Sequence, residues 1–173
     1  MNRREQIIEI AEDLLDRHGP EGLSMRAIAE RAGMRAPSLY KHFPDKATIE
    51  AALQERALRS LAASLSRAGD GLGALGAAYR GWALAHPHRY ALSSGQALHR
   101  DRLPIGLEHA AAAPLLAAVG GDIDRARAVW GMAHGLVERE RAGRFPSAAD
   151  LDAAWTAGID AFISPESSKA TPG

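Results

Sequence analysis

The stretch from Gly22 to Lys46 constrains this chain most, because a single glycine in it separates two short apolar stripes. Ser24 is a residue type that caps helices, and Met25, Ile28, Ala29 and Ala32 then fall on one helical face. Gly33 stands where a left-handed residue ends a helix, and Met34 follows as an apolar plug for the turn. Pro37 suits the first turn of a second helix, where its missing N–H costs nothing. Leu39, Tyr40 and Phe43 anchor that helix to a core, and Pro44 stops it. Two helices across a tight glycine turn make a helix-turn-helix, whose second helix enters the major groove of DNA.

The remainder carries the same helical period and no strand alternation, so the expected fold is all-α with about nine helices. A first helix is striped by Ile7, Ile10, Ala11, Leu14 and Leu15, with Asn2 and Glu5 as a reciprocal capping pair and Gly19-Pro20 as its end. Arg3 and Arg4 in its first turn either touch phosphate or are simply solvated. Asp45 caps a fourth helix running along Ile49, Leu53, Ala57, Leu61 and Leu65, about 30 Å at 1.5 Å per residue. A loop at Ala68-Gly69-Asp70-Gly71 leads to a helix with Leu75, Ala78, Tyr79, Trp82 and His86 on one face. Pro87 starts a sixth helix carrying Tyr90 and Leu92, and Leu98–Gly106 reads as a link. A seventh helix is expected around His109–Val119, begun late or kinked by Pro114.

Asp122 caps an eighth helix striped by Ile123, Ala126, Val129, Trp130, Ala133, His134 and Val137. Ser147 and Asp150 then offer a capping box for a ninth with Leu151, Ala154, Trp155, Gly158, Ile159 and Phe162. These elements divide into a helix-turn-helix head over 1–46, a helical body over 47–163 and a tail, 164–173, with nothing to bury and expected to be disordered.

Charge and composition narrow the function. Net charge is zero, so there is no bulk basic signature, yet Ser24–Lys46 holds five basic residues (Arg26, Arg31, Arg35, Lys41, Lys46) against Glu30 and Asp45. The absence of cysteine removes disulfides and thiolate metal sites. No apolar run is long enough to span a bilayer and the N-terminus is charged, so a cytoplasmic location is expected. Among the seven histidines, His86, His88, His99 and His109 cluster in the middle of the chain without carboxylates at ligand spacing. Ser93-Ser94-Gly95 lacks the strand-turn-helix setting of a nucleophile elbow. No catalytic constellation, metal site or cofactor motif is present. The competing reading is a helical metal- or cofactor-binding protein, or an enzyme, built on that histidine-rich middle.

The strings Gly22-Leu23-Ser24, Ile28-Ala29-Glu30-Arg31-Ala32-Gly33, Ser38-Leu39-Tyr40-Lys41-His42-Phe43 and Asp45-Lys46 together resemble the DNA-binding domain of TetR-type transcriptional regulators. The string Trp130-Gly-Met-Ala-His134-Gly135 resembles a Trp-His-Gly type of C-terminal domain in that family. The resemblance implies a homodimeric regulator, most often a repressor, that binds a palindromic operator and is released by a small-molecule effector. It implies Arg26, Arg35, Ala36, Pro37 and Lys41 as groove-facing, with Ser38, Tyr40, His42 and Lys46 on the phosphate backbone. Arg35 departs from the family pattern, which often has a small hydroxyl residue there to cap the helix.

Two features of the body carry expectations of their own. Gly131 and Gly135 stand four apart in a helix, where each costs roughly 1 kcal/mol relative to alanine, as do the small residues Ala154 and Gly158. Such spacing lets helix backbones approach closely. The glycines either accommodate Trp130 or Trp155 within one subunit, or form a four-helix dimer interface that also takes in Trp155 and Phe162, as in TetR-type regulators. Tyr79, Trp82, Tyr90, Trp130 and His134 combine apolar bodies with hydrogen-bonding tips, the makeup of a ligand cleft between helices. Each of them also suits a plain core position.

Overall fold

The computed structural model describes residues 2–163; the tail expected over 164–173 lies outside the described residues. Nine α-helices are present among the described residues, with no strand. They are α1 (Arg3–Gly22), α2 (Met25–Arg31), α3 (Ala36–Tyr40), α4 (Lys46–Ser66), α5 (Leu72–Ala85), α6 (Pro87–Ser94), α7 (Leu107–Ala118), α8 (Ile123–Arg141) and α9 (Leu151–Ile163). One 3₁₀ turn, Arg100–Arg102, lies in the link between α6 and α7.

Four helix starts carry the caps expected of them. Asn2, Ser24, Asp45 and Asp122 each accept a backbone N–H of the helix that follows. Two caps differ from expectation. Glu5 does not reach back to Asn2, because Arg56 of α4 takes its carboxylate in an ion pair. Asp150, not Ser147, caps α9, accepting the Ala153 N–H at 2.9 Å. The seventh helix begins earlier than the sequence indicates, at Leu107, and Pro114 sits inside it. Gly19 takes φ 70° and breaks α1 just before Pro20, where the sequence ends that helix.

Two larger cores result. The first packs Ile7, Leu15, Leu23, Ile28, Leu39 and Phe43 of the head against Ile49, Leu53 and also Leu92, which lies far along the chain in α6. The second gathers Leu61, Tyr79, Trp82, Tyr90, Val137 and Trp155 from the body. Helix α6 serves both. Tyr90 and Leu92 are two residues apart, so their side chains leave the helix about 200° from one another, and both are fully buried, one in each core. Arg89 on the same helix pairs with Glu12 at 3.0 Å and with Asp16 of α1. On the other side Arg141 of α8 donates to the Pro87 carbonyl at 2.9 Å.

Gln54, in the middle of α4, is the one long polar side chain wholly inside the described structure. Its Nε2 donates to the carbonyls of Leu92 (3.1 Å) and Ala97 (3.2 Å), and its Oε1 accepts the His99 N–H at 3.0 Å. A buried backbone group without a partner is costly, so this amide carries the bend between α6 and the 3₁₀ turn. Replacing Gln54 with leucine keeps the bulk but orphans those backbone groups. We expect a loss of about 2–3 kcal/mol in urea unfolding, and a loss under half a kcal/mol would show that the bend does not depend on Gln54.

Candidate nucleic-acid interface and apolar cavity

The turn between α2 and α3 is set by backbone bonds that require its glycine. Gly33 has φ 61°, its N–H reaches the Glu30 carbonyl at 3.1 Å, and the Met34 N–H reaches that of Ala29 at 2.9 Å. This crossed pair is the Schellman closure of a helix C-terminus. Helix α3 then begins at Ala36 with Pro37 in its first turn and no side-chain cap from Arg35. It is five residues long. Leu39 and, just beyond it, Phe43 turn inward and are buried, which leaves Arg35, Ala36, Pro37, Ser38, Tyr40 and Lys41 exposed as a group on the outer side.

The basic residues of this region separate into two sets. Arg26, Arg35 and Lys41 are exposed and form no ion pair among the described residues. Arg31 turns back to Asp13 of α1 at 3.2 Å, and Lys46 pairs with Glu50 one helical turn on at 3.1 Å. His42 is half-buried. The start of α4 is held by Asp45, whose carboxylate accepts Arg102 at 2.6 Å and the Thr48 N–H at 2.7 Å. The Arg102 hydrogen bond, followed by those of Thr48, holds the Asp45 carboxyl well below the usual carboxylate range.

The aromatic residues of the body divide as well. Tyr79 and Trp130 meet edge to face with ring centres 5.0 Å apart, and both line a narrow apolar crevice with Leu75, Val129 and Ile159. The space within it is about 30 Å³ for a water-sized sphere. Tyr90 and His134 adjoin through a hydrogen bond of 2.6 Å between the phenol and Nδ1, and the Tyr79 hydroxyl lies 3.5 Å from that of Tyr90. Burial drives the Tyr79 phenol far above its ordinary value and pushes Tyr90 up to about 12. Trp82 faces elsewhere: its indole N–H donates to Ser60 of α4 at 3.0 Å and its ring stacks on His86.

The histidines do not converge. His86 lies against Trp82, His88 packs on Gly19 of α1, His99 sits 3.4 Å from Glu50 and His109 is exposed. Among the described residues no three metal-ligating side chains come together.

The small residues of the last two helices differ in what surrounds them. A methyl group added at Gly131 or Gly135 would meet nothing, so both lie on an open side of α8. At Gly158 it would come within 2.9 Å of the Met132 sulfur in the same chain, and Trp155 is buried in the body core. Ala154 and Phe162 are half-buried. Nothing in the sequence near Gly76 of α5 marks its role. A side chain there would press on Ile159 at 3.1 Å, so its bareness is what seats α9 against α5. Ile123 and Trp130, which share one side of α8 with Val129, Ala133 and Val137 in the sequence, are 54% and 38% exposed.

Family models match most of the described chain. Residues 7–53 match "Bacterial regulatory proteins, tetR family" and residues 72–162 match "Tetracyclin repressor-like, C-terminal domain". The HTH-type transcriptional regulator Rv0681 of Mycobacterium tuberculosis is 30% identical, over 88% of this chain and 76% of its own length. A solved protein of unknown function from Rhodococcus sp. RHA1 superposes with a TM-score of 0.72 at 28% identity, covering 94% of each chain. A variant of TetR from Acinetobacter baumannii AYE, solved in complex with minocycline, shares the fold with a TM-score of 0.65 at 23% identity and 94% coverage of each chain.

The buried phenols make alkaline stability a direct check on the body core. A phenol whose value is raised by folding stabilises the protein fully below its unfolded value of about 10 and loses that contribution as pH rises toward the folded value. Urea midpoints should therefore fall as pH climbs past about 10, and fall less steeply in Tyr90→Phe. Equal slopes for the two proteins would remove Tyr90 from the account.

Proposed function

The chain belongs to the TetR family of bacterial transcriptional regulators, and from that premise we propose that it is a homodimeric repressor that binds a palindromic operator and is released by a small-molecule effector. As a DNA regulator it works in the cytoplasm and performs no catalysis. The observation that carries the DNA reading is the exposed cluster around α3. Arg26, Arg35 and Lys41 form no ion pair among the described residues, while Leu39 and Phe43 pin the helix from behind. In this reading Arg26, Arg35, Ala36, Pro37 and Lys41 face the groove. Ser38, Tyr40, His42 and Lys46 meet the phosphates, and Lys46 leaves Glu50 to do so. Two heads one helical turn apart, about 34–36 Å, would read two half-sites.

For assembly, the open side of α8 at Gly131 and Gly135 supports helix-on-helix contact with a second copy. The outer side of α9 continues it with Ala153, Ala157 and Ala161, all small and exposed. Trp155 and Gly158 support that interface from beneath, since both pack inside their own chain. The body of α5, α8 and α9 is the place for an effector, beside Tyr79 and Trp130. A space of 30 Å³ holds about two waters, so an effector must part these helices on entering, with Tyr90 and His134 as the next polar groups inward. The minocycline bound by the Acinetobacter TetR variant supports a small-molecule effector for this chain. The tightness of the crevice favours a second reading, a regulator of the same family that answers to no small molecule.

Selection of bound fragments from random duplex DNA tests the central reading, and failure to enrich any sequence would overturn it. On an enriched fragment, Lys41→Ala should lower affinity, and Arg35→Ala should cost about 1–3 kcal/mol at one base position only. Arg35 reads no base if every fragment variant suffers alike. Gly135→Leu should yield monomers in sedimentation with lost affinity for the paired site, whereas Gly158→Leu should lower thermal stability by collision with Met132. Dimers of Gly135→Leu with normal binding would move the interface elsewhere.

A further inference from the structure

The helix that enters the groove has little of its own to hold it. It has five residues and no side-chain cap, and a helix that short is not stable alone in water. Its inner side is pinned by Leu39 and Phe43, which fixes depth but leaves rotation and tilt to the chain on either side. Both of those flanks are gripped from outside the motif, by consecutive residues at the start of α1.

Arg3 takes the near flank. Its Nη2 donates to the Ala32 carbonyl at 3.2 Å and lies 4.0 Å from the Met34 sulfur, while Nη1 donates to Gln6 at 3.2 Å. Arg4 takes the far flank. Its Nη1 donates to the His42 carbonyl, and its guanidinium lies 4.3 Å over the ring of Phe43. Ala32 and His42 stand at the ends of α2 and of the recognition turn, where helix carbonyls lack intrahelical donors. A guanidinium fills such a gap well, since its planar fork donates to a carbonyl and its flat face lies on an aromatic ring. Neither arginine forms an ion pair among the described residues, so both are committed to this grip by geometry, not by a carboxylate.

The geometry points to Arg3 and Arg4 as positioning residues of the DNA site: they bracket the recognition helix from its two flanks and set its angle, without touching phosphate. The inference rests on the reading that α3 meets DNA, and it gives the two arginines a role distinct from both phosphate contact and plain solvation. Arg3 turns both of its terminal nitrogens to the protein, and Arg4 turns Nη1. What the bracket supplies is preorganisation, which matters for a matched sequence, where side chains must meet base edges, and little for random DNA, where phosphate attraction dominates.

Three measurements on the full chain separate a bracket from a phosphate contact. The first needs no DNA: amide exchange in the free protein. In Arg4→Ala the His42 and Phe43 amides, both bonded to the Leu39 carbonyl, should exchange about tenfold faster, the loss of one charge-assisted hydrogen bond, while α4 to α9 stay unchanged. The second compares the fragment enriched by the wild-type protein with random duplex DNA. Affinity for the fragment should fall about tenfold in Arg4→Ala and in Arg3→Ala, while that for random DNA holds. The third is the salt dependence of fragment binding, which should keep its slope, whereas a lost phosphate contact lowers the slope by about one. Arg4→Gln removes the charge but keeps a donor, and should recover most of the affinity if the bracket is right. Wild-type exchange at residues 36–43 in both alanine variants would overturn the bracket. So would a shallower salt slope with equal losses on both DNAs. If the wild-type protein enriches no fragment, the DNA reading itself falls, and the exchange measurement still decides whether the bracket exists.

Discussion

The burial of Leu39 and Phe43 behind a helix of five residues is the contact on which the rest of the head depends. A helix that short gains almost nothing from its own hydrogen bonds, because nucleation has cost more than so few bonds return. Two fully buried side chains contribute roughly 2–3 kcal/mol each, which is enough to hold the backbone only if the ends do not wander. The glycine turn at Gly33 fixes one end and Pro44, followed by the Asp45 cap, fixes the other. Everything with a charge to offer is then driven outward by default. The exposed side of α3 is therefore a consequence of how little of the helix can be inside.

The head is not finished by its own residues. Leu92 reaches its core from α6, and Arg89 ties α6 to two carboxylates of α1. These ion pairs are partly buried, and the desolvation of their charges offsets much of the attraction. The durable part of the connection is the apolar insertion and the Gln54 amide that satisfies the strand of backbone behind it. Because Tyr90, on the opposite side of the same helix, is locked into the body core, α6 cannot shift toward one core without unpacking the other. Close-packed interiors yield in discrete rearrangements, not gradually. A helix wedged between two of them is a natural place for a two-position element.

What the sequence disclosed and what it hid follow the same distinction between local and distant causes. Ser24, Gly33, Asp45 and Asp122 were legible because a cap or a left-handed turn is decided by neighbours within a few residues. The identity of the helices followed from apolar spacing, which is equally local, so the all-α fold was recoverable. The Glu5 and Ser147 caps were misassigned because the competing partners, Arg56 and Asp150, win on geometry that a pattern of spacing does not contain. The division at residue 46 could not anticipate Leu92, since nothing near Leu92 distinguishes it from any other leucine of a helical stripe. Gly76 went unseen for the converse reason: its use is defined wholly by Ile159, eighty-odd residues away. Of the five aromatic and polar residues that read as one pocket, only Tyr79 and Trp130 line the crevice, while Trp82 shares a core with Tyr79 but turns its indole N–H to Ser60 of α4.

The crevice beside Tyr79 and Trp130 sets the terms on which any effector could act. A ligand shifts an equilibrium only by the difference in its affinity for two states. The state described here offers it about 30 Å³ and a lining of aliphatic and aromatic atoms. Opening that space means moving α8 or α9 away from α5, which gives up packing such as that of Ile159 on Gly76 or of Met132 on Gly158. Movement of α8 carries His134 with it, and His134 is hydrogen-bonded to Tyr90 on the very helix that also holds Leu92 in the head. A molecule that binds by parting these helices therefore acts on a chain of contacts that ends behind the recognition helix. One that slips in without parting them has no differential affinity to spend, and leaves the head where it was.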